Sequence, residues 1–341
     1  MKSNIFKGKL DRLYNAVVTP LKENDLSVDE GALRKLLQYC LKPEFIEAGV
    51  GIIINPEAGE IFYLSREEKS RNVEIAIEEC GGKVPLFAGV SDLRTEDAVL
   101  VAKDAKKLGV DGIFVMPPIG AMDVTSAWNA TKYPEVMVDM IKAIDKTVNL
   151  PIIVHPTATF SPAYGIGLPL EVVKMMVEEI PNIIGWKMTY NYEGYRTLAR
   201  YFRSLDRHVA ILGATAVFFH EILSTGQFDG TVTGAFCYAM EPMLEHIKAW
   251  DNMDINKSRD IWESGLAQLQ EYVYSDYSRL HIKYKTATWL RGLIPNPWMR
   301  PPLPKPRVEE IQTLYKLLKN CKLNVITKTE VDKVINKITN K

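Results

Sequence analysis

Lys187 closes the apolar run NIIGWKM (182–188), so its side chain stands at the end of a segment with the composition of a buried strand. Burial disfavours the ammonium form of a lysine. The neutral amine that results attacks carbonyl carbon and forms a Schiff base. Bringing such an amine from its ordinary pKa of ~10.4 toward ~7–8 asks the site for roughly 4 kcal/mol of discrimination against the charged form. A lysine at an arbitrary strand end snorkels to water instead, so position alone does not assign the chemistry. A second titratable side chain, His155, closes the run LPIIVHP (150–156), and a carboxylate, Glu57, follows the run VGIIIN (50–55).

These residues belong to a repeating pattern. Short apolar runs rich in β-branched residues alternate with longer segments whose apolar positions recur every three or four residues, which predicts βα units. Eight strands are predicted, at 14–20, 50–55, 84–90, 111–117, 150–156, 182–188, 209–214 and 229–234. Ser27 with Glu30, and Ser65 with Glu68, have the spacing of capping boxes that open helices. Val73, Ala76, Ile77 and Cys80 form one apolar stripe, and Ala98, Val101, Ala102, Ala105 and Leu108 form another. Strand then helix, eight times, predicts an α/β fold, a (β/α)8 TIM barrel occupying residues 1–235.

Beyond residue 235 only helical patterns remain, near 241–253, 256–276, 279–292 and 307–320. A helical C-terminal region over 236–321 is expected, with a polar tail over 322–341 that is either a docked or a frayed helix. The segment PNPWMRPPLPKP (295–306) has too many prolines for a helix and reads as a rigid connector.

In a barrel of this kind, substrate is reached by the C-terminal ends of strands and the loops after them. That set comprises Thr19, residues 55–60, Asp92, residues 117–120, His155, Lys187, residues 213–215 and Thr233. Within it and beside it, Thr19, Ala58, Gly59, Gly213 and Val232 are expected to line the substrate.

Composition narrows the function. The 42 basic residues balance the 42 acidic ones, so no chain-wide field gathers nucleic acid or an anionic membrane. No run approaches the ~20 apolar residues of a membrane span, and the first residues lack a signal-peptide segment, so a cytoplasmic enzyme acting on a small molecule is expected. The four cysteines, Cys40, Cys80, Cys237 and Cys321, are scattered without metal-ligand spacing and read as reduced thiols. No nucleotide or metal motif is present; AGV (88–90) is no dinucleotide fingerprint.

From about Tyr14 to about Leu318 the chain resembles the dihydrodipicolinate synthase and N-acetylneuraminate lyase family of pyruvate-dependent class I aldolases. The matching pieces are AVVTPLKENDLSVD, AGEIFYLSREEK, IIGWK and RGLIPNPWMRPPL, in the family's order and spacing. The resemblance implies that Lys187 forms an imine with pyruvate or another 2-oxo acid without an added cofactor. It also implies a homotetramer built as a dimer of dimers.

The chain departs from the family where the family's proton relay stands. The loop that typically reads GTTGE reads PEAGE here (56–60), keeping Gly59 and Glu60 but replacing two carboxylate-binding threonines with Glu57 and Ala58. His155 occupies the place of the strand-five tyrosine, and a second tyrosine is replaced near Ile119. A neutral-range acid or base at His155, with Glu57 orienting it or carrying protons, is the expected substitute. The long loop IGAMDVTSAWNATKYPEVM (119–137), with Trp128 and Tyr133, is expected to act as a lid or an oligomer contact.

Three activities remain open on these residues: an aldolase at a 2-oxo acid, a 2-keto-3-deoxy sugar acid dehydratase using the same lysine, and a barrel that binds without catalysis. The arginine that synthases place after the strand-five tyrosine has no counterpart in HPTATFSPAYGIG (155–167). Expression in a lysine-requiring strain should therefore give no growth without lysine, and growth would show that the missing threonines and arginine are dispensable.

Overall fold

The computed structural model describes residues 5–118 and 129–339. Eight parallel strands close into a barrel: β1 (Leu13–Ala16), β2 (Val50–Ile54), β3 (Leu86–Val90), β4 (Gly112–Val115), β5 (Ile152–Val154), β8 (Ile183–Met188), β9 (Ala210–Gly213) and β10 (Gly230–Thr233). Closure is made by β1, which pairs with β2 through Leu13↔Val50 and with β10 through Leu13↔Thr231. All eight predicted strands are present. They are shorter than the predicted runs, some losing residues at the start, as β3 (Leu86–Val90) does from 84–90, and some at the end, as β5 (Ile152–Val154) does from 150–156.

A hairpin of β6 (Thr157–Ser161) and β7 (Gly165–Gly167) follows β5 and was not anticipated. Its sequence, TATFSPAYGIG, does alternate threonine with apolar or small residues, and Gly165 sits at φ 64°, which its turn requires. Ser65 and Glu68 form the predicted capping box of the helix Arg66–Cys80. The other predicted box fails. Asp29, not Ser27, caps the helix Glu30–Cys40 by accepting from the Ala32 N–H, while Ser27 bonds Asp25 in the preceding turn. Aspartate one residue before the helix wins because its carboxylate reaches the same free N–H groups.

Helices run from Phe236–Asp251 to Val308–Asn320, and a last helix, Lys328–Thr339, docks through the buried side chains of Val331 and Val334. No helix interrupts residues 295–306. Instead, Arg300 in this connector reaches back to the barrel, holding the Glu68 carboxylate with two bonds of 2.8 Å. Cys40, Cys80 and Cys237 are buried, Cys321 is partly exposed, and all four are free thiols. Among the described residues no helix is long and apolar enough to cross a membrane.

One buried ion pair ties the C-terminal helices to the mouth. Lys285, in the helix Leu280–Leu290, bonds Glu60 with neither side chain in contact with water, and the Arg300 N–H donates to the other Glu60 oxygen at 3.0 Å. Glu60 takes φ 62°, a left-handed conformation, to turn its carboxylate inward. Removing one partner of such a pair strands a charge, so Lys285→Ala should cost about 3–5 kcal/mol in urea unfolding. The double change Glu60→Gln with Lys285→Met should cost less than Lys285→Ala alone; equal or greater loss would contradict the charge argument.

Candidate active site

Strand alternation aims Lys187 into the barrel mouth. Trp186 faces outward, packing on Phe202 at 5.7 Å between ring centroids and donating from its indole N–H to the Tyr190 hydroxyl at 3.1 Å. The next residue, Lys187, must therefore face inward. Val154 of β5 is in register with Trp186 of β8, so His155 and Lys187 follow side by side. The His155 N–H extends the ladder, donating to the Val115 carbonyl at 2.8 Å. His155 Nε2 lies 2.6 Å from Lys187 Nζ. Phe114 lies alongside both, its centroid 5.5 Å from the imidazole centroid and 5.7 Å from Nζ.

Glu57 arrives from a different wall. It opens a single turn of 3₁₀ helix, Glu57–Gly59, after β2, and brings Oε2 to 2.7 Å from His155 Nε2. The Thr19 hydroxyl pins this turn by donating to the Gly59 carbonyl at 2.7 Å. A carboxylate, an imidazole and an amine thus stand in a row, sharing one imidazole nitrogen at the centre. His155 Nδ1 is buried and has no hydrogen-bond partner among the described residues.

The charges follow from burial and proximity. Burial pushes the Lys187 amine down to about 8, against the opposing pull of Glu57. Burial and the Lys187 charge push His155 down to about 4, although Glu57 draws it up. For Glu57 burial acts upward, but the neighbouring charges of His155, His281 and Lys187 outweigh it and hold the carboxyl well below its usual range. Near neutral pH the row therefore holds a carboxylate, a neutral imidazole and a mostly protonated amine. His155 in the resting site does not titrate near neutrality, contrary to the expectation from its unperturbed value, because its ring is wholly out of water.

A pocket of about 150 Å³ lies over this row. Pro56, Glu57, Ala58, His155, Lys187 and Val232 are among its lining residues. Thr19, Gly59 and Gly213 are not among them: Thr19 and Gly59 bond each other behind the Glu57 turn, and Gly213 lies one residue before the lining residue Ala214. Asp92 is drawn aside by Lys69 at 3.2 Å, and Asn55 bonds the Lys69 carbonyl at 2.8 Å. Thr215 and Thr233 do line the pocket. The prediction near Ile119, and most of the 119–137 loop with Trp128, lie outside the described residues; Tyr133 is partly buried just before the helix Glu135–Val148.

Sequence reasoning missed the roof. Tyr274, Tyr277, Leu280, His281 and Tyr284, all from the C-terminal helices, close the pocket from above. Tyr284 donates to the Tyr274 hydroxyl, which donates to the Ala214 carbonyl at 3.0 Å, fastening the roof to the end of β9. The only available signal was the density of tyrosines between 272 and 284, together with one of the chain's five histidines. Among the described residues no cluster of three metal-ligating groups occurs.

The model of the dihydrodipicolinate synthetase family matches residues 9–321. An uncharacterized DapA-like lyase of Thermofilum pendens is 29% identical over 308 residues, spanning 88% of this chain and 94% of that protein. The 4-hydroxy-tetrahydrodipicolinate synthase of Methanopyrus kandleri is 26% identical over 318 residues, spanning 92% and 97%. Among solved structures, YagE, a prophage protein of the dihydrodipicolinic acid synthase family from E. coli K12 in complex with pyruvate, superposes with a TM-score of 0.77. That match has 21% identity and covers 93% of this chain and 100% of the other. At that identity the superposition speaks to the fold.

A site that disfavours an ammonium stores instability. The fall of Lys187 from 10.5 to about 8 corresponds to roughly 3 kcal/mol against the charged form. Because the folded value lies below the unfolded one, the wild type carries this penalty in full below pH 8 and loses it as pH rises toward 10.5. Lys187→Met should accordingly be more stable than wild type by up to roughly 3 kcal/mol at pH 6–7, a gain that fades above about pH 10 in urea unfolding. A destabilised variant at neutral pH would contradict the burial argument.

Proposed function

The chain belongs to the dihydrodipicolinate synthetase family, and from that premise we propose that it is a Schiff-base lyase whose Lys187 forms an imine with a 2-oxo acid. The observation that carries this reading is the 2.6 Å approach of His155 Nε2 to Lys187 Nζ at the pocket floor. With a value of about 8, the fraction of neutral amine at pH 7 is roughly 300-fold greater than for an ordinary lysine. Transfer of one proton from Nζ to Nε2 yields the free amine and sets an imidazolium against the Glu57 carboxylate. No net charge is created by this step, which is what a site out of water requires.

The amine then adds to the C2 carbonyl. The C–N bond forms as the carbonyl electron pair moves to oxygen, which takes the proton held by His155; the proton that the nitrogen then gives up returns through His155 to the same oxygen, which leaves as water as the nitrogen lone pair forms the C=N bond. The resulting iminium accepts the electron pair of the bond that breaks next, whether C3–C4 in an aldol cleavage or C3–H ahead of loss of a hydroxyl. Both reactions use one imine, so the aldolase and sugar-acid dehydratase readings share this half of the mechanism.

Glu57 repels a substrate carboxylate, so that group is held by the pocket-lining hydroxyls of Thr157, Thr189 and Thr215. Thr189 Oγ1 is buried without a partner among the described residues, a donor ready for an anion or a substrate hydroxyl. The missing carboxylate-binding threonines weigh against authentic synthase activity, and the amine with its lowered pKa weighs against a barrel that only binds.

Borohydride reduction in the presence of pyruvate or 2-oxobutanoate should add the mass of one reduced adduct, mapped to a peptide containing Lys187, and Lys187→Ala should abolish it. His155→Phe should retain trapping while turnover drops by about 10²- to 10⁴-fold. An adduct on another lysine, or none with any 2-oxo acid tried, would sink the proposal.

A further inference from the structure

We infer that His281, from the C-terminal helix Leu280–Leu290, is the outlet of the proton row, passing protons between Glu57 and solvent so that the relay is complete within one chain. This rests on the imine reading of Lys187 and adds to it a residue outside the barrel.

The geometry leaves His155 few choices. Among the described residues its buried Nδ1 has no partner, while Nε2 faces Lys187 at 2.6 Å and Glu57 at 2.7 Å. Apart from Lys187 and the pocket itself, the neighbour that Nε2 meets is Glu57. The oxygen that faces His155, Oε2, is the same one that faces His281 Nε2, at 4.0 Å. That gap is longer than a hydrogen bond, and such contacts commonly tighten only once substrate is bound.

The row opens to water at its outer end: the His155 side chain is 2% exposed, against 33% for Glu57 and 28% for His281. Glu57 also touches solvent, but a carboxylate held below its usual range is rarely protonated near neutrality and exchanges protons with bulk water poorly. An imidazole titrates closer to neutral pH and can fill that role. The groups that set the charge of His281 are few. Burial lowers its pKa, Glu57 and Glu60 raise it and Lys187 lowers it, while the Tyr284 ring packs at 5.9 Å between centroids.

The reaction that needs such an outlet is deprotonation of the imine at C3. The C3–H pair becomes the C2=C3 bond, the iminium π pair moves to nitrogen, and the proton goes to His155 Nε2. It then travels to Glu57 Oε2, to His281 Nε2 and to solvent, and a solvent proton returns by the reverse path. His281 acts through Glu57 and touches no reacting atom.

Exchange of the pyruvate methyl protons in D2O, followed by NMR, reads this path without knowledge of the second substrate. His281→Ala should slow exchange by about 10²-fold while borohydride trapping at Lys187 persists. Added imidazole should restore the rate, more strongly near its own pKa, and His281→Asn, which keeps shape but cannot shuttle a proton, should behave as the alanine variant does. Exchange at the wild-type rate in both variants overturns the inference, and so does a loss that imidazole fails to rescue. If the wild type itself traps no 2-oxo acid, the reading of Lys187 falls instead, which the trapping arm reports separately.

Discussion

The whole site is organised by one electrostatic constraint: a half-buried amine at the end of β8 must be able to give up its proton without leaving a new charge uncompensated. His155 and Glu57 meet that constraint together. Either alone would fail, since an imidazolium without a carboxylate, or a carboxylate without an imidazole between it and the lysine, would add a buried charge or simply hold the ammonium in place. The central imidazole nitrogen, 2.6 Å from one partner and 2.7 Å from the other, is therefore the atom on which the geometry turns.

The barrel supplies this geometry through register. Alternation along β8 sends Trp186 to the helix layer and Lys187 to the axis, and the pairing of Val154 with Trp186 sets His155 beside it. Glu57 comes across the mouth from the β2 loop, whose shape depends on the Thr19 to Gly59 bond and on the left-handed backbone of Glu60. Glu60, though only three residues from Glu57, is spent on structure: with Lys285 and the Arg300 backbone it holds the C-terminal helices over the pocket. Two neighbouring carboxylates thus divide the work, one facing the amine and the other anchoring the roof.

Much of this was legible in the sequence because it is local. Eight apolar runs with alternating helical stripes are enough to place a barrel, and a lysine and a histidine at the ends of two adjacent parallel strands are enough to put them near each other. What failed depends on competition or distance. Ser27 lost the helix cap to Asp29, two residues on, and spacing alone does not rank such rivals. Thr19 is at a strand end but spends its hydroxyl on the Gly59 carbonyl, and no pattern of residue types announces that. His281 lies more than 200 positions from Glu57 in the chain, and only the packing of a C-terminal helix over the mouth brings the two to 4.0 Å.

The central claim concerns the charge on one amine, and NMR can follow it directly. With lysine labelled at the ε-carbon and the Lys187 resonance assigned by Lys187→Arg, the Lys187 signal of the folded protein should titrate near 8. In Glu57→Gln, which removes the anion that favours the ammonium, its midpoint should move lower still. If every lysine titrates above about pH 10, as lysines in water do, the amine is not held out of water, and the account of this site is wrong.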